Sequence, residues 1–204
     1  MGTRELRAQW SGLWQRLGAS GDPVPVYQDL VRRYSEQGRT YHNLRHVEHC
    51  LAELGAIPEA DDVAFALWFH DAVYDFKAKD NEERSAVLAK RAAQAAALPI
   101  WFGAQVETLI LATKHQSPPK SAKEMLIVDI DLAILGQDRD RFDEYERQIR
   151  LEYSWVPQEA FVKGRAEVLA RFLQRTRIYS TEMFSSKYEA IARENLTRSI
   201  KALH

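Results

Sequence analysis

Apolar residues recur at helical spacing along nearly the whole chain. The first segment places Leu6, Trp10, Leu13 and Trp14 on one face of a helix. Similar patterns, interrupted at glycine and proline, predict about ten helices in all. No strand-like alternation with Asn-Gly or Asp-Gly turns is present. The pattern therefore predicts an all-α fold, with residues 1–204 forming a single compact helical bundle.

Capping and breaking residues place the predicted helix ends. Asn43 is suited to cap a helix that carries Leu44 and Val47, and Asp80 to Glu83 read as a capping-box-like start of another. A later helix is predicted from about Trp101 to His115, ended by Pro118-Pro119. The remaining helices are predicted to end near Gly136, to run from Asp138 to about Glu152, and to lie around residues 157–175 and 185–203.

Composition narrows the class of protein and its partners. The 204 residues are 46% hydrophobic and 28% charged, with a formal net charge of −1. This balance gives no general attraction to nucleic acid or to an anionic membrane. Cys50 is the one cysteine, so no internal disulfide is possible, and residues 1–5 lack an apolar signal core. We expect a cytoplasmic protein without a membrane span. The charged Asp138–Glu152 helix could be either a solvated face or part of a homodimer contact.

A dispersed set of histidines and aspartates carries the candidate chemistry. His46 follows Tyr41 in a short polar segment, and His70-Asp71 closes the apolar run Ala64–Phe69. Asp129 and Asp131 lie inside the apolar segment Met125–Leu135. Acids in an apolar helix are costly to bury unless their charge is compensated, and a bound cation is one such compensation. The pattern therefore suggests a metal site inside a helical bundle.

Helix geometry restricts how these residues can share one ion. Adjacent residues on a helix point about 100° apart, so His70 and Asp71 can reach one ion only near the helix end. Asp129 and Asp131 diverge by about 200°, so one is expected to ligate while the other orients a histidine or bonds the backbone. The alternative for both acids is pairing with an arginine.

The motifs around these residues resemble a known family. His46, then His70-Asp71 twenty-four positions later, then a downstream aspartate, is similar to the HD-domain superfamily of metal-dependent phosphohydrolases. The likeness extends over most of the chain to a bacterial subgroup of predicted phosphohydrolases. The segments that carry it are Tyr41–His46, Trp68–Asp75, Asn81–Ala86, Asp129–Gly136 and Ala192–Arg198.

The resemblance implies an HD-domain-like fold, with a metal-site core at about residues 40–136 and C-terminal helices packed on it. It implies that His46, His70, Asp71 and one late aspartate are the metal ligands. Asp131 fits that last position best, and Asp129 is the alternative. Such nitrogen and oxygen ligands suit Mn, Fe, Co, Ni or Zn, with one or two ions bound.

The other polar residues near the motifs supply candidates for catalysis and binding. Asp71 could bridge a second ion, and Asp75, His115 or Glu83 could assist proton transfer. His115 could equally serve a second metal or act as a helix-terminal cation. We expect the substrate to contact His42, and its phosphate to be met by Arg45 and Arg84 in preference to Lys77, Lys79 and Lys114.

The predicted function is a metal-dependent phosphohydrolase. Its substrate would be a small phosphorylated molecule, with a nucleotide the first choice, attacked by a metal-activated water. One alternative is a diiron oxygenase on the same scaffold, for which only His115 and His42 could supply the extra ligands. A second is a non-catalytic regulatory module that binds metal or nucleotide. A purely structural reading requires the buried acids to be paired with arginines. Fold and ligand set do not select the substrate.

Overall fold

A computed structural model describes residues 3–203, so Met1, Gly2 and His204 of the predicted domain lie outside the described residues. Within that range the fold is all-α, as predicted, and contains no strand. The helices are α1 (Thr3–Arg16), α2 (Val24–Tyr34), α3 (Leu44–Leu54), α4 (Asp61–Phe69), α5 (Asn81–Ala95), α6 (Ile100–Ala112), α7 (Ala122–Asp131), α8 (Arg139–Glu152), α9 (Gln158–Leu173) and α10 (Glu182–Leu203), with a 3-10 turn at Leu132–Gly136 between α7 and α8.

Two local predictions about helix ends have different outcomes. The Asn43 side chain accepts a hydrogen bond from the Arg45 amide at 2.9 Å, which confirms the cap of α3. The capping box predicted at Asp80 is wrong, because the Asp80 side chain makes no cap bond. Asn81 instead exchanges hydrogen bonds with the backbone of Asp75 and holds the preceding loop.

Helix α4 forms the centre of the core. Every residue from Asp62 to Phe69 is buried, because α1, α3, α5, α6 and α7 all pack around this helix. Trp10 of α1 contacts the rings of Phe65, Trp68 and Phe69, with centroids 5.5–6.1 Å apart. Burial of such large aromatic groups is a dominant favourable contribution to folding. It also fixes the end of α4, where the His70-Asp71 pair follows.

Arg39 holds the turn after α4 in place. Its guanidinium donates to the carbonyl oxygens of Asp71 at 2.6 Å and Ala72 at 3.1 Å, and its side chain is only 1% exposed. A buried guanidinium that satisfies two carbonyls outside the helix fixes the backbone there. The Asp71 carboxylate is therefore presented from a rigid position.

Helix α10 braces the segment that follows α7. A Cβ added at Gly136 would lie 2.4 Å from the Cβ of Tyr188, so only glycine allows this close approach. Asn195 of α10 donates to the carbonyl oxygens of Leu135 and Gln137 at 3.0 and 2.9 Å. These contacts fix the chain directly after Asp131.

Across residues 3–203, every helix is too short or too polar to cross a membrane.

Candidate functional site

Three helices bring four predicted ligands to one point. His46 comes from α3, His70 caps α4 and is followed by Asp71, and Asp131 is the last residue of α7. The His46 and His70 Nε2 atoms lie 2.9 Å apart. Asp71 Oδ2 lies 3.4 Å from His46 Nε2 and 3.1 Å from His70 Nε2, and Asp131 Oδ1 lies 3.2 and 3.5 Å from the same two atoms. We call these four residues the His/Asp cluster.

The spacing within the His/Asp cluster fits a single transition-metal ion. Nitrogen and oxygen ligands lie about 2.0–2.2 Å from such ions, so two of them are about 3.0 Å apart at a right angle and about 3.4 Å apart at the tetrahedral angle. The five separations given above run from 2.9 to 3.5 Å. Each aspartate therefore lies at a ligand-to-ligand separation from both histidines.

The protonation of His70 also favours ligation. Its Nδ1 lies 2.9 Å from the carbonyl oxygen of Leu67, which only accepts, so Nδ1 carries the proton. Nε2 is then the nitrogen that faces the His/Asp cluster. Although burial opposes its charge, the Asp71 and Asp131 carboxylates raise the pKa of His70, so a metal ion would bind at Nε2 in place of a proton. Although burial opposes charge here, the neighbouring histidines hold the pKa values of Asp71 and Asp131 well below their usual range. Both carboxylates are therefore ionised.

Cys50 lies beside the His/Asp cluster, and its sequence neighbourhood gave no sign of a ligand role. His46, Cys50, His70 and Asp131 each offer a ligand atom within 4.8 Å of the others. The Cys50 sulfur is 3.8 Å from both ring nitrogens of His46, which places it over the ring face. Asp71, by contrast, reaches the two Nε2 atoms at hydrogen-bond range, so we describe the four nitrogen and oxygen donors as the primary candidate set.

Asp129, the alternative to Asp131, is directed elsewhere. It is completely buried, and its two carboxylate oxygens accept hydrogen bonds from the Ser180 amide at 2.8 Å and from the Thr181 amide and hydroxyl at 2.7 Å each. Its carboxylate thus joins α7 to the start of α10. The structure brings Asp131, and not Asp129, to the histidines.

His115 lies just beyond the end of α6, which ends three residues earlier than predicted. Its Nε2 is 2.9 Å from Asp131 Oδ2, the carboxylate oxygen that faces away from His46 and His70. The His115 backbone has φ 54°, a left-handed conformation that is uncommon for residues other than glycine. Its Nδ1 is buried without a hydrogen-bond partner among the described residues. The His115 backbone is thus held in an unfavourable conformation at the position where the His115 ring contacts the Asp131 carboxylate.

His42 is held by a buried acid that the sequence did not single out. Glu152 of α8 has a fully buried side chain, accepts hydrogen bonds from the Tyr41 and His42 amides, and contacts His42 Nδ1 at 2.6 Å. Although burial raises the pKa of Glu152, its contacts with His42 outweigh burial and lower it. An ionised Glu152 fixes the proton on Nδ1 and leaves His42 Nε2 free.

The His/Asp cluster opens into a cleft of about 780 Å³ that is mostly polar. Asp71 and Asp131 line it together with His42, His115 and half-buried Glu82. Burial first, and then the Asp71 charge, raises the pKa of Glu82. A carboxyl group with a raised pKa is a candidate proton donor or acceptor.

Three cations line the same cleft. Lys114 is bound to Glu83 and to the Lys79 carbonyl oxygen. Arg171 and Arg175 lie one turn apart at the end of α9, and no acidic side chain within residues 3–203 forms an ion pair with either. Burial first, and then the nearby Arg171, lowers the pKa of Arg175. Two adjacent guanidinium groups without an acidic partner form a candidate anion site.

The structure does not bring three of the predicted site residues to the cleft. Arg45 is exposed on α3, and Arg84 is exposed on α5 with Asp80 4.0 Å away. Asp75 is also exposed, and its carboxylate accepts from the Lys77 amide at 2.9 Å, which stabilises its own turn. None of the three is among the residues that line the cleft.

Sequence reasoning missed Arg171, Arg175, Glu82 and Glu152. The two arginines lie outside every motif and resemble the other arginines of a charged surface. Glu82 was read only as part of a helix start. Glu152 ends a highly charged helix, where burial is the exception. No residue pattern within each segment distinguishes these four, because their roles depend on contacts outside their own segments, such as those of Glu82 with Asp71 and of Glu152 with His42.

Comparisons of this chain with protein-family models, curated proteins and solved structures return no match.

Proposed function

We propose that this protein is a metal-dependent phosphohydrolase that acts on a small phosphoester. One observation carries the proposal: Asp71 and Asp131 of the His/Asp cluster line the same cleft as Arg171 and Arg175. The first supplies ligands for a cation, and the second supplies donors for an anion. The motif resemblance to HD-domain phosphohydrolases supports the same class of reaction.

Within this proposal, His46, His70, Asp71 and Asp131 would hold a divalent ion. Two nitrogen and two oxygen donors suit Mn, Fe, Co, Ni or Zn. Such an ion, when bound, supplies Lewis acidity that lowers the pKa of a water molecule and polarises a phosphoryl group. His115 contacts the far oxygen of Asp131 and would orient that carboxylate or support a second ion.

The remaining groups would bind the substrate and move protons. Arg171 and Arg175 would hold the phosphate oxygens through charge-assisted hydrogen bonds. His42 would exchange a proton at Nε2, because Glu152 fixes its Nδ1 proton. Glu82, with its raised pKa, is a second group able to give a proton to the leaving oxygen.

The diiron oxygenase is the second candidate, and the contact between His115 and Asp131 is what favours it. A second iron would need further ligands near that carboxylate oxygen. His42 could supply one such ligand, because Glu152 holds its Nδ1 and leaves Nε2 free. Arg171 and Arg175, which have no acidic partner among residues 3–203, give the phosphohydrolase the stronger support.

The test is metal content by elemental analysis together with hydrolysis of phosphomonoesters and phosphodiesters. We expect about one or two transition-metal ions per wild-type chain and measurable hydrolysis. The double variant His70→Ala, Asp71→Ala should lose both, since it removes half of the proposed ligands. Cys50→Ala, its matched control beside the same ion position, should keep the metal if the sulfur only packs against His46.

Different results would redirect the proposal. Wild-type protein that takes up no Mn, Fe, Co, Ni or Zn would contradict it. Two irons per chain, with no hydrolysis of any phosphoester, would favour the oxygenase. Metal binding without turnover would favour a regulatory module. In the double variant Arg171→Gln, Arg175→Gln, metal content should be unchanged while KM rises about tenfold or more, because lost hydrogen bonds to a charged group weaken binding by about 1.5–3 kcal/mol.

A further inference from the structure

A second cavity continues the cleft away from the His/Asp cluster. It has a volume of about 410 Å³ and lies between α8, α9 and the loop that follows α4. Tyr74, Tyr145, Tyr153 and Val168 line both spaces, so the two are connected. We call this cavity the aromatic chamber. Its position means that a ligand held in the cleft can extend into it.

The aromatic chamber differs from the cleft in chemistry. Its surface is mostly apolar, and Phe161, Ile149 and Val156 complete the walls. Its one charged lining residue, Arg165, has a side chain only 9% exposed and is bound to Glu146 and stacked over Tyr145 at 5.1 Å. His42, at the boundary, is stacked on Tyr74 with centroids 4.1 Å apart. The chamber therefore offers ring faces and aliphatic groups, and the Arg165 guanidinium is already paired with Glu146.

The volume suits a ring system. A cavity of about 150 Å³ lined by apolar side chains binds benzene. The aromatic chamber is larger than that and lies within the size range of small-molecule sites, about 300–1,000 Å³. Flat aromatic groups are well matched to walls of tyrosine and phenylalanine, because offset and edge-to-face contacts add to the apolar burial.

An exposed glycine in the middle of α9 lies at the edge of the chamber. Gly164 lines it, and a Cβ built at this position meets no atom within 4 Å. Glycine within a helix costs about 1 kcal/mol relative to alanine, and no steric contact here requires it. The chain thus carries a destabilising residue at the point where a larger side chain has room to reduce the chamber.

We propose that the aromatic chamber binds a planar, apolar ring system, which is the organic group of the phosphoester. The assignment of the phosphate end of this ligand rests on the proposed function, whereas the assignment of its ring end rests on the chamber alone. A nucleobase fits less well, because its edge would lose hydrogen bonds to water and find few free partners on these walls. The inference therefore selects an aryl phosphoester over a nucleotide.

The experiment measures binding by calorimetry to the metal-loaded protein, with four probes that are not hydrolysed. They are 1-naphthylphosphonate, methylphosphonate, a nucleoside 5′-phosphonate, and 1-naphthol, which lacks the anion. We expect 1-naphthylphosphonate to bind about 30-fold more tightly than methylphosphonate, because burying an aromatic side chain contributes about 1.5–3 kcal/mol. The nucleoside compound should bind more weakly than the naphthyl compound.

Variants connect the effect to the chamber. Gly164→Phe should reduce the naphthyl advantage to less than about threefold, because the added ring occupies the chamber. Ala160→Phe, at a second lining position, gives the same test if Gly164→Phe fails to fold by circular dichroism. Lys163→Phe adds the same ring at an exposed neighbouring position outside the chamber and should keep the advantage.

The outcomes separate the two proposals. Naphthol binding that is lost in Gly164→Phe, without binding of any phosphonate, would support the chamber and contradict the phosphohydrolase. Equal affinity for the naphthyl and methyl compounds would overturn the chamber, whatever the activity of the enzyme. A nucleoside 5′-phosphonate that binds more tightly than the naphthyl compound would overturn the choice of an apolar ring over a nucleobase.

Discussion

Two carboxylates two positions apart on α7 have opposite surroundings. Asp129 is enclosed by neutral donors, the amides of Ser180 and Thr181 and the Thr181 hydroxyl. Asp131 is surrounded by the ring nitrogens of His46, His70 and His115, at 2.9–3.5 Å. Burial raises the pKa of Asp129, whereas the histidines outweigh burial and hold that of Asp131 well below its usual range.

This difference shows how a buried acid can be assigned a structural role or a binding role. Asp129 has its hydrogen-bonding capacity met by groups that also begin a helix, so its carboxylate needs no further partner. Asp131 faces histidine nitrogens, and in His70 the backbone fixes the proton on the other ring nitrogen. Such nitrogens offer lone pairs as readily as protons, so this arrangement is suited to a cation. We infer a structural role for Asp129 and a binding role for Asp131.

The largest expected effect is on metal affinity. Asp131→Asn should weaken binding of the ion by more than about 100-fold, because loss of an outer partner of a metal ligand alone costs about 10–100-fold. Asp129→Asn should keep the metal and lose stability instead, because its amide group would face the donors of Ser180 and Thr181. Elemental analysis and competition with a chelator measure the first effect, and urea unfolding measures the second.

A reversed pattern would break the comparison. If Asp129→Asn lost the metal while Asp131→Asn kept it, the two carboxylates would have exchanged roles. Both substitutions replace an oxygen by nitrogen at nearly constant volume, so each is a control for the other in side-chain size.

A smaller effect tests the structural half of the comparison. Thr181→Val removes one donor to Asp129 and a weak cap contact to the Phe184 amide at 3.4 Å, while the backbone amides remain. We expect a loss of about 2 kcal/mol in the free energy of unfolding, because hydrogen bonds to charged groups contribute about 1.5–3 kcal/mol. Urea denaturation measures it, and metal content should not change.

Ser180→Ala is the matched control for that substitution. Ser180 binds Asp129 only through its backbone amide and is exposed, so the change should lie within about 0.5 kcal/mol of wild type. A loss of stability in Ser180→Ala equal to that in Thr181→Val would show that the Asp129 contacts are not the cause.

The fold was predictable because its signals are local. The helical period and the glycine and proline breaks are written within each segment, and they predicted an all-α chain. The ends were less accurate where tertiary contacts decide them. At His115 the ring contacts Asp131, and the helix ends at Ala112 instead of continuing. At Asp80 a side-chain bond between Asn81 and Asp75 replaces the expected cap.

The candidate site was predictable only in part. His46, His70, Asp71 and Asp131 stand in motifs, and the structure brings them together. The candidate anion partners differ, because Arg45 and Arg84 are near the motifs in sequence, whereas Arg171 and Arg175 line the same cleft as Asp71 and Asp131. Helix α9 crosses the cleft from a distant part of the chain, and no local pattern specifies that crossing.

Glu53 gives the smallest expected effect and extends the comparison to a third acid. Its carboxylate joins α3 to α10 through Tyr188 at 2.5 Å and Lys187 at 2.9 Å, with His49 at 3.6 Å. Although burial raises its pKa, these partners outweigh burial and lower it to about 2.

Because the folded-state pKa of Glu53 lies below the unfolded value, Glu53 stabilises the fold above about pH 4.5, and this contribution is lost as the pH falls toward 2. Glu53→Gln should therefore flatten the dependence of the unfolding free energy on pH between 4.5 and 2, by less than the ~1.4 kcal/mol per pH unit of one full proton, since solvent screens part of the contact. Urea unfolding at several pH values measures this slope. An unchanged slope would mean that Glu53 is paired as strongly in the unfolded chain as in the folded one, and its contacts with α10 would then contribute nothing to stability.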